Sequence, residues 1–114
     1  MSIKKQKTID SMVLPSENDE MEKFITLNRV KMLHHSIKII ESAIDNKMPV
    51  AELYRFRKSN YAVIICDSDY KTNLDFILQE LINLEEYEIC SYVKTVKQKV
   101  DNMVLTLRTN YIKK

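Results

Sequence analysis

Val30-Lys31-Met32-Leu33-His34-His35-Ser36-Ile37-Lys38-Ile39-Ile40-Glu41-Ser42-Ala43-Ile44 sets apolar side chains at Val30, Leu33, Ile37, Ile40 and Ile44, in steps of 3, 4, 3 and 4 residues. That period belongs to a helix with a heptad-like seam. Phe24 and Leu27 extend the pattern upstream. Ser16-Glu17-Asn18-Asp19 has the spacing of a capping box, and Asp19, Glu20 and Glu22 place negative charge where the helix dipole favours it. Downstream, Asn46 can adopt the left-handed conformation that ends a helix, and Pro49 forbids continuation. The spacing predicts one helix of about 28 residues from Ser16 to Asn46.

Toward the C-terminus a second seam runs through Ile89, Val93, Val96, Val100, Met103, Leu107 and Tyr111, flanked by lysines. Before it, Asp67 or Ser68 caps a helix with the stripe Tyr70, Leu74, Ile77, Leu78 and Leu81, expected to end near Tyr87 with a break at 88–91. Between the first helix and this one, Tyr61-Ala62-Val63-Ile64-Ile65-Cys66 reads as a strand and Leu53–Arg57 alternates as a second one, with Lys58-Ser59-Asn60 turning the chain. A lone hairpin is marginal in water, so it requires a helix packed on it or a partner chain's strand beside it. The expected fold is mainly α, or α+β with a minor β element: a long N-terminal helix, a small β-hairpin or single strand, and two C-terminal helices. Residues 1–15, polar and ending at Pro15, are expected to be a disordered tail before a single helical domain over 16–114.

The chain of 114 residues fits one domain, and its 45% hydrophobic and 30% charged content suits a real core. It contains no glycine. Phosphate-cradling loops need backbone amides close to oxyanions, often at positive φ, so P-loops, dinucleotide-binding turns and kinase glycine loops are excluded. Net charge is only +2 but unevenly placed: Asp67 to Glu88 holds one lysine against seven carboxylates, whereas Lys94 to Lys114 holds six basic residues against Asp101. This segregation suits either pairing between an acidic and a basic element or a basic surface for nucleic acid. Two cysteines, no signal-peptide pattern and no apolar run longer than Ala62–Cys66 point to a cytoplasmic or nuclear, non-membrane setting. The lysine-, isoleucine- and asparagine-rich usage is common in AT-rich genomes and in small phage or mobile-element genes.

Four short patterns carry chemistry. Val63-Ile64-Ile65-Cys66-Asp67-Ser68-Asp69 resembles the first motif of haloacid-dehalogenase-type phosphatases and the Asp-x-Asp metal site of some glycosyltransferases. That resemblance implies a nucleophile and a general acid/base beside Mg²⁺. Tyr70 and Lys71 stand where the phosphatase pattern has a small residue and threonine, and the reading adopted is that Asp67 and Asp69 cap a helix. Arg29 and His34 fit the Arg-x4-His spacing that is similar to HEPN-type ribonucleases, with Val30 where a polar residue usually follows. The adjacent His34 and His35 point about 100° apart on a helix and cannot share one ion. Gln6, Ile9, Met12 and Val13 resemble a sliding-clamp-binding PIP box in which Met12 and Val13 replace the two aromatics. Tyr54, Arg55, Arg57 and Lys58, with Lys94, Lys97 and Lys99, form the nucleic-acid-binding candidate: aromatics to stack bases and cations for phosphates.

No set of residues completes a catalytic constellation, so neither cofactor nor small-molecule substrate is expected. The expectation is a small non-enzymatic regulatory or adaptor protein acting through helix-mediated protein–protein contacts, as a dimer, with Val30, Leu33, Ile37, Ile40, Ile44, Val96, Val100, Met103 and Leu107 as the seam. The alternative is a nucleic-acid-binding regulator.

Overall fold

The computed structural model describes the backbone of residues 9–112 and the side chains of residues 9–103. Its elements in chain order are β1 (Met12–Leu14), α1 (Asn18–Asp45), β2 (Val50–Phe56), β3 (Ala62–Cys66), a 3-10 turn (Asp67–Asp69), α2 (Tyr70–Asn83) and α3 (Tyr87–Ile112). The fold is mainly helical with a minor sheet, as the periodicities imply. The strands lie in the order β1-β2-β3. β2 and β3 form the expected antiparallel hairpin, whereas β1 runs parallel to β2 with Met12, Val13 and Leu14 opposite Tyr54, Arg55 and Phe56.

That parallel pair corrects the expectation of a disordered tail through residue 15. Parallel neighbours cannot be joined by a tight turn, and α1 supplies the crossover, so β1, α1 and β2 make one β-α-β unit. Leu14 is buried at 4% exposure and its carbonyl accepts a hydrogen bond from the Arg57 amide. Upstream, Ser11 Oγ donates to Glu52 at 2.8 Å and His35 Nε2–H donates to the Asp10 carbonyl at 2.7 Å. Residues 1–8 lie outside the described residues.

Helix ends depart from expectation at three points. α1 starts at Asn18 with Glu17 as N-cap and no side-chain capping bond, so the Ser16 box does not form. At its other end Asn46 is the C-cap with φ −95°, and Lys47 takes the left-handed position at φ 54°. The Lys47 amide then donates to Ile44 and the Met48 amide to Ala43, the two bonds of a Schellman motif. α2 ends at Asn83, ahead of Tyr87, in the same way: Glu85 has φ 59°, with its amide on Ile82 and the Glu86 amide on Leu81. The break therefore falls at 84–86 rather than at 88–91.

The core is one cluster contributed by all three helices and the sheet. Ile37 and Ile40 from α1, Leu74, Ile77 and Leu81 from α2, and Val93, Val96 and Val100 from α3 are each 2% exposed or less, with Ala51 and Leu53 beneath them from β2. The centres of both heptad seams, among the described side chains, are thus packed inside the chain. Leu33, Ile37, Ile40, Val96 and Val100 are buried, Ile44 and Met103 pack at the margin, Val30 is half-buried, and the Leu107 side chain lies outside the described ones. Leu33, Ile37, Ile40, Val96 and Val100 are therefore covered from within the chain rather than by a second subunit. A heptad pattern reports the width of a buried stripe, not which chain covers it.

The acidic and basic segments are joined intramolecularly. Lys97 of α3 meets Asp75 of α2, Lys71 of α2 meets Asp101 of α3, and Lys99 reaches both Glu41 and Asp45 of α1. Tyr92 adds a hydrogen bond to Glu41 at 2.6 Å, and Tyr70 donates from the core to the Met48 carbonyl at 3.0 Å. Burial pushes the Tyr70 phenol up to about 12, so it stays a donor at any ordinary pH. α1 is kinked at Asn28 (φ −119°, ψ 19°), where Asn28 Nδ2–H donates to the Phe24 carbonyl.

Candidate functional site

The sheet has one covered face and one open face. Along β2, Ala51 and Leu53 point into the core. The register shifts between Glu52 and Tyr54, an irregularity that turns Tyr54 inward beside Leu53. Tyr54 Oη lies 2.6 Å from Ser36 Oγ and donates to the Met32 carbonyl at 3.4 Å, and burial raises its phenol above the usual tyrosine value. The opposite face carries Val50 beside Cys66, Glu52 beside Ile64, and Arg55 between Ala62 and Val13. Val13 is 52% exposed and Ile64 59%. Glu52 accepts from Ser11 and from both Nε and Nη2 of Arg55, and these bonds hold its carboxyl below the usual carboxylate range.

β2 is central, so β1 and β3 are the two sheet edges. β1 is three residues long and is stopped by Pro15, a protected edge. β3 is not protected. Ala62-Val63-Ile64-Ile65-Cys66 has no charge, no proline and no pairing shift of its own, and Tyr61 before it is 79% exposed. Natural edge strands of this kind carry lysine, proline or a bulge unless another strand covers them. Among the described residues no strand covers this edge, and its apolar sequence reads as a strand. That it ends the sheet was not visible, because strand order is a tertiary property.

The nucleic-acid candidates are not brought together. Tyr54 is turned into the core, and Arg55 is tied to Glu52. Lys97 and Lys99 are bound to Asp75, Glu41 and Asp45. Arg57, Lys58 and Lys94 stand exposed without an ion pair among the described residues. Arg57 and Lys58 lie in the β2–β3 turn, Lys94 on α3.

Asp67 and Asp69 occupy the 3-10 turn after β3, both exposed, and Asp69 is the N-cap of α2 without a side-chain capping bond. The strand before them, β3, is an antiparallel edge strand. No cluster of three or more metal-ligating side chains occurs among the described residues. Arg29 pairs with Glu80, while His34 packs edge-on against Tyr92 at 5.8 Å between ring centres. The two residues thus serve separate contacts. Of the clamp-like set, Gln6 lies outside the described residues, Ile9 is exposed, and Met12 and Val13 are committed to β1 rather than to a free peptide. A cleft of about 460 Å³ lies between residues 9–13 and the α1–β2 junction, with Asp10, Glu52 and Arg55 as its ionisable groups. No described helix is long and apolar enough to cross a membrane.

His34 makes a pH prediction. Burial foremost, then the Lys38 ammonium and His35, hold its imidazole below 6.5. The unfolded chain therefore takes up this proton at a higher pH than the folded one. Protonation favours unfolding, and stability present above about 6.5 falls as pH drops through that value. The denaturation midpoint is expected to be lower at pH 5.5 than at pH 7.5, and His34→Gln narrows that gap. An unchanged gap in the variant rejects the assignment. Glu52, with a depressed carboxyl, loses its contribution only at more acid pH.

No protein-family model, curated protein or solved structure matches the chain.

Proposed function

We propose that this chain is a small non-enzymatic regulatory or adaptor protein that works through protein–protein contact, made by adding a strand to β3. Leu33, Ile37, Ile40, Val96 and Val100 of the helical seams expected to mediate contact are buried in the chain's own core. The observation that carries the reading is the uncharged β3 edge, which no other strand covers among the described residues, beside an outer sheet face on which Val50, Ile64 and Val13 are exposed around the Glu52–Arg55 pair. Strand addition draws affinity from main-chain hydrogen bonds and selectivity from alternate side chains, and it needs no pocket.

The test is comparative capture. Wild-type chain, Ile64→Lys at the edge and Leu27→Asp on the exposed part of α1 are used as baits. Partners held by wild type and by Leu27→Asp but lost by Ile64→Lys support the reading. Partners lost only with Leu27→Asp overturn it. The nucleic-acid alternative keeps only Arg57, Lys58 and Lys94 as unpaired cations among its seven residues. With so few phosphate contacts, retention on DNA or RNA columns is expected to vanish by about 100 mM salt. Retention beyond that would favour the alternative.

A further inference from the structure

We infer that the strand covering β3 is β3 of a second copy, paired antiparallel about a twofold axis at Ile64. The inference rests on the strand-addition reading above and names its partner.

Hydrogen-bond parity sets the register. The Tyr61 carbonyl accepts from Phe56 and the Asp67 amide donates to Pro49, so both ends of β3 direct their backbone groups at the β2 side. Because strand residues alternate, 61, 63, 65 and 67 face β2, and the amides and carbonyls of Ala62, Ile64 and Cys66 face outward. In an antiparallel pair, outward residues must meet outward residues. Setting Ile64 opposite the partner's Ile64 also sets Ala62 opposite the partner's Cys66. This register matches all three outward residues of β3 within the strand; shifting it by two leaves one unmatched.

Charge selects the second copy and the antiparallel sense. The turn leading into β3 is basic, with Arg57 and Lys58, while the turn leaving it is acidic, with Asp67 and Asp69, and all four are exposed. In the Ile64 register each basic turn lies along the acidic turn of the other copy. A parallel arrangement would instead stack like charges at both ends. On the outer face, Ile64, 59% exposed, meets its own equivalent, with Glu52 directly beside it on β2 of each chain and Val50 on the diagonal next to Cys66. On the inner face Val63, 38% exposed, meets the partner's Ile65. Among the described residues the two sheets become one six-stranded sheet with the short β1 strands at its edges.

Sedimentation equilibrium tests self-association and cross-linking tests register. Wild type at about 100 μM in low salt should sediment as twice the 13.5 kDa monomer, and Ile64→Lys as a monomer with unchanged helical circular dichroism. Arg57→Glu with Lys58→Glu should weaken the dimer at least tenfold, and adding Asp67→Lys with Asp69→Lys should restore it. Under mild oxidation Ala62→Cys should form an interchain disulfide with Cys66, since directly opposed residues lie about 5.5 Å apart at Cα. Ala62→Cys combined with Cys66→Ser should not. A monomeric wild type overturns the inference. So does a dimer that survives Ile64→Lys or fails to cross-link. The strand-addition reading fails separately, when no partner of any kind is sensitive to Ile64→Lys.

Discussion

Ile40→Ala is expected to lower the unfolding free energy by about 3–4 kcal/mol, the loss typical of truncating a fully enclosed isoleucine. Ile40 is 0% exposed and lies in the cluster where α1, α2, α3 and β2 meet. Deleting its outer carbons removes transfer energy and leaves a cavity that helices fixed on three sides cannot collapse into. On a stability of 5–15 kcal/mol that is a large fraction. The measurement is urea denaturation in the Ile64→Lys background, so that self-association does not add to the signal. The midpoint should fall with the slope unchanged. A loss under about 1 kcal/mol would mean that α1's seam is not covered from within the chain, and the seam between subunits would return as the better account. Val96→Ala should behave in the same sense, with a smaller loss because fewer carbons are removed.

The second large effect runs the other way. Lys47→Gly and Glu85→Gly together should raise stability by about 2 kcal/mol, roughly 10 °C in melting temperature for a domain of this size. Both residues hold left-handed backbone at φ 54° and 59°, both occupy the position after a helix C-cap where glycine is usual, and both side chains are exposed. An L-residue with a Cβ costs about 1–2 kcal/mol there, partly offset by the greater freedom glycine adds to the unfolded chain. The Schellman hydrogen bonds at 43–48 and 81–86 show that the geometry is already that of a glycine terminus. Thermal melts of the single and double variants check the prediction, and because the sites lie on separate loops the gains should add. A double variant no more stable than wild type would show that the two ends tolerate a side chain without cost. Lys58, at φ 56° in the β2–β3 turn, has the same geometry. It is left out of the pair because its charge belongs to the proposed interface.

What was legible in the residues follows from periods. A run of 3- and 4-residue steps over Val30–Ile44 and Ile89–Tyr111 specified two long helices, and the β-branched run before Asp67 specified a strand, because burial of one face imposes those spacings wherever the element packs. Helix ends were less legible. Without glycine, the left-handed positions at the helix ends fell to Lys47 and Glu85, chosen by where the helices must stop to pack, while Asn46 kept a negative φ of −95°. β1 is not legible in the sequence because three apolar residues before Pro15 carry no period of their own. Only the length of α1, enough to cross the sheet and return, makes a parallel strand there feasible.

The sequence by itself determined the three helices, the hairpin and the buried stripe of each helix. Tertiary structure alone decided who covers whom. It buried the centres of both seams inside one chain, tied Lys97 and Lys99 to carboxylates on neighbouring helices, turned Tyr54 inward through a shift in pairing, and left β3 at the edge of the sheet. The physical reason is that periodicity is a local property of a single element, whereas strand order and the pairing of buried faces depend on contacts between residues distant in the chain.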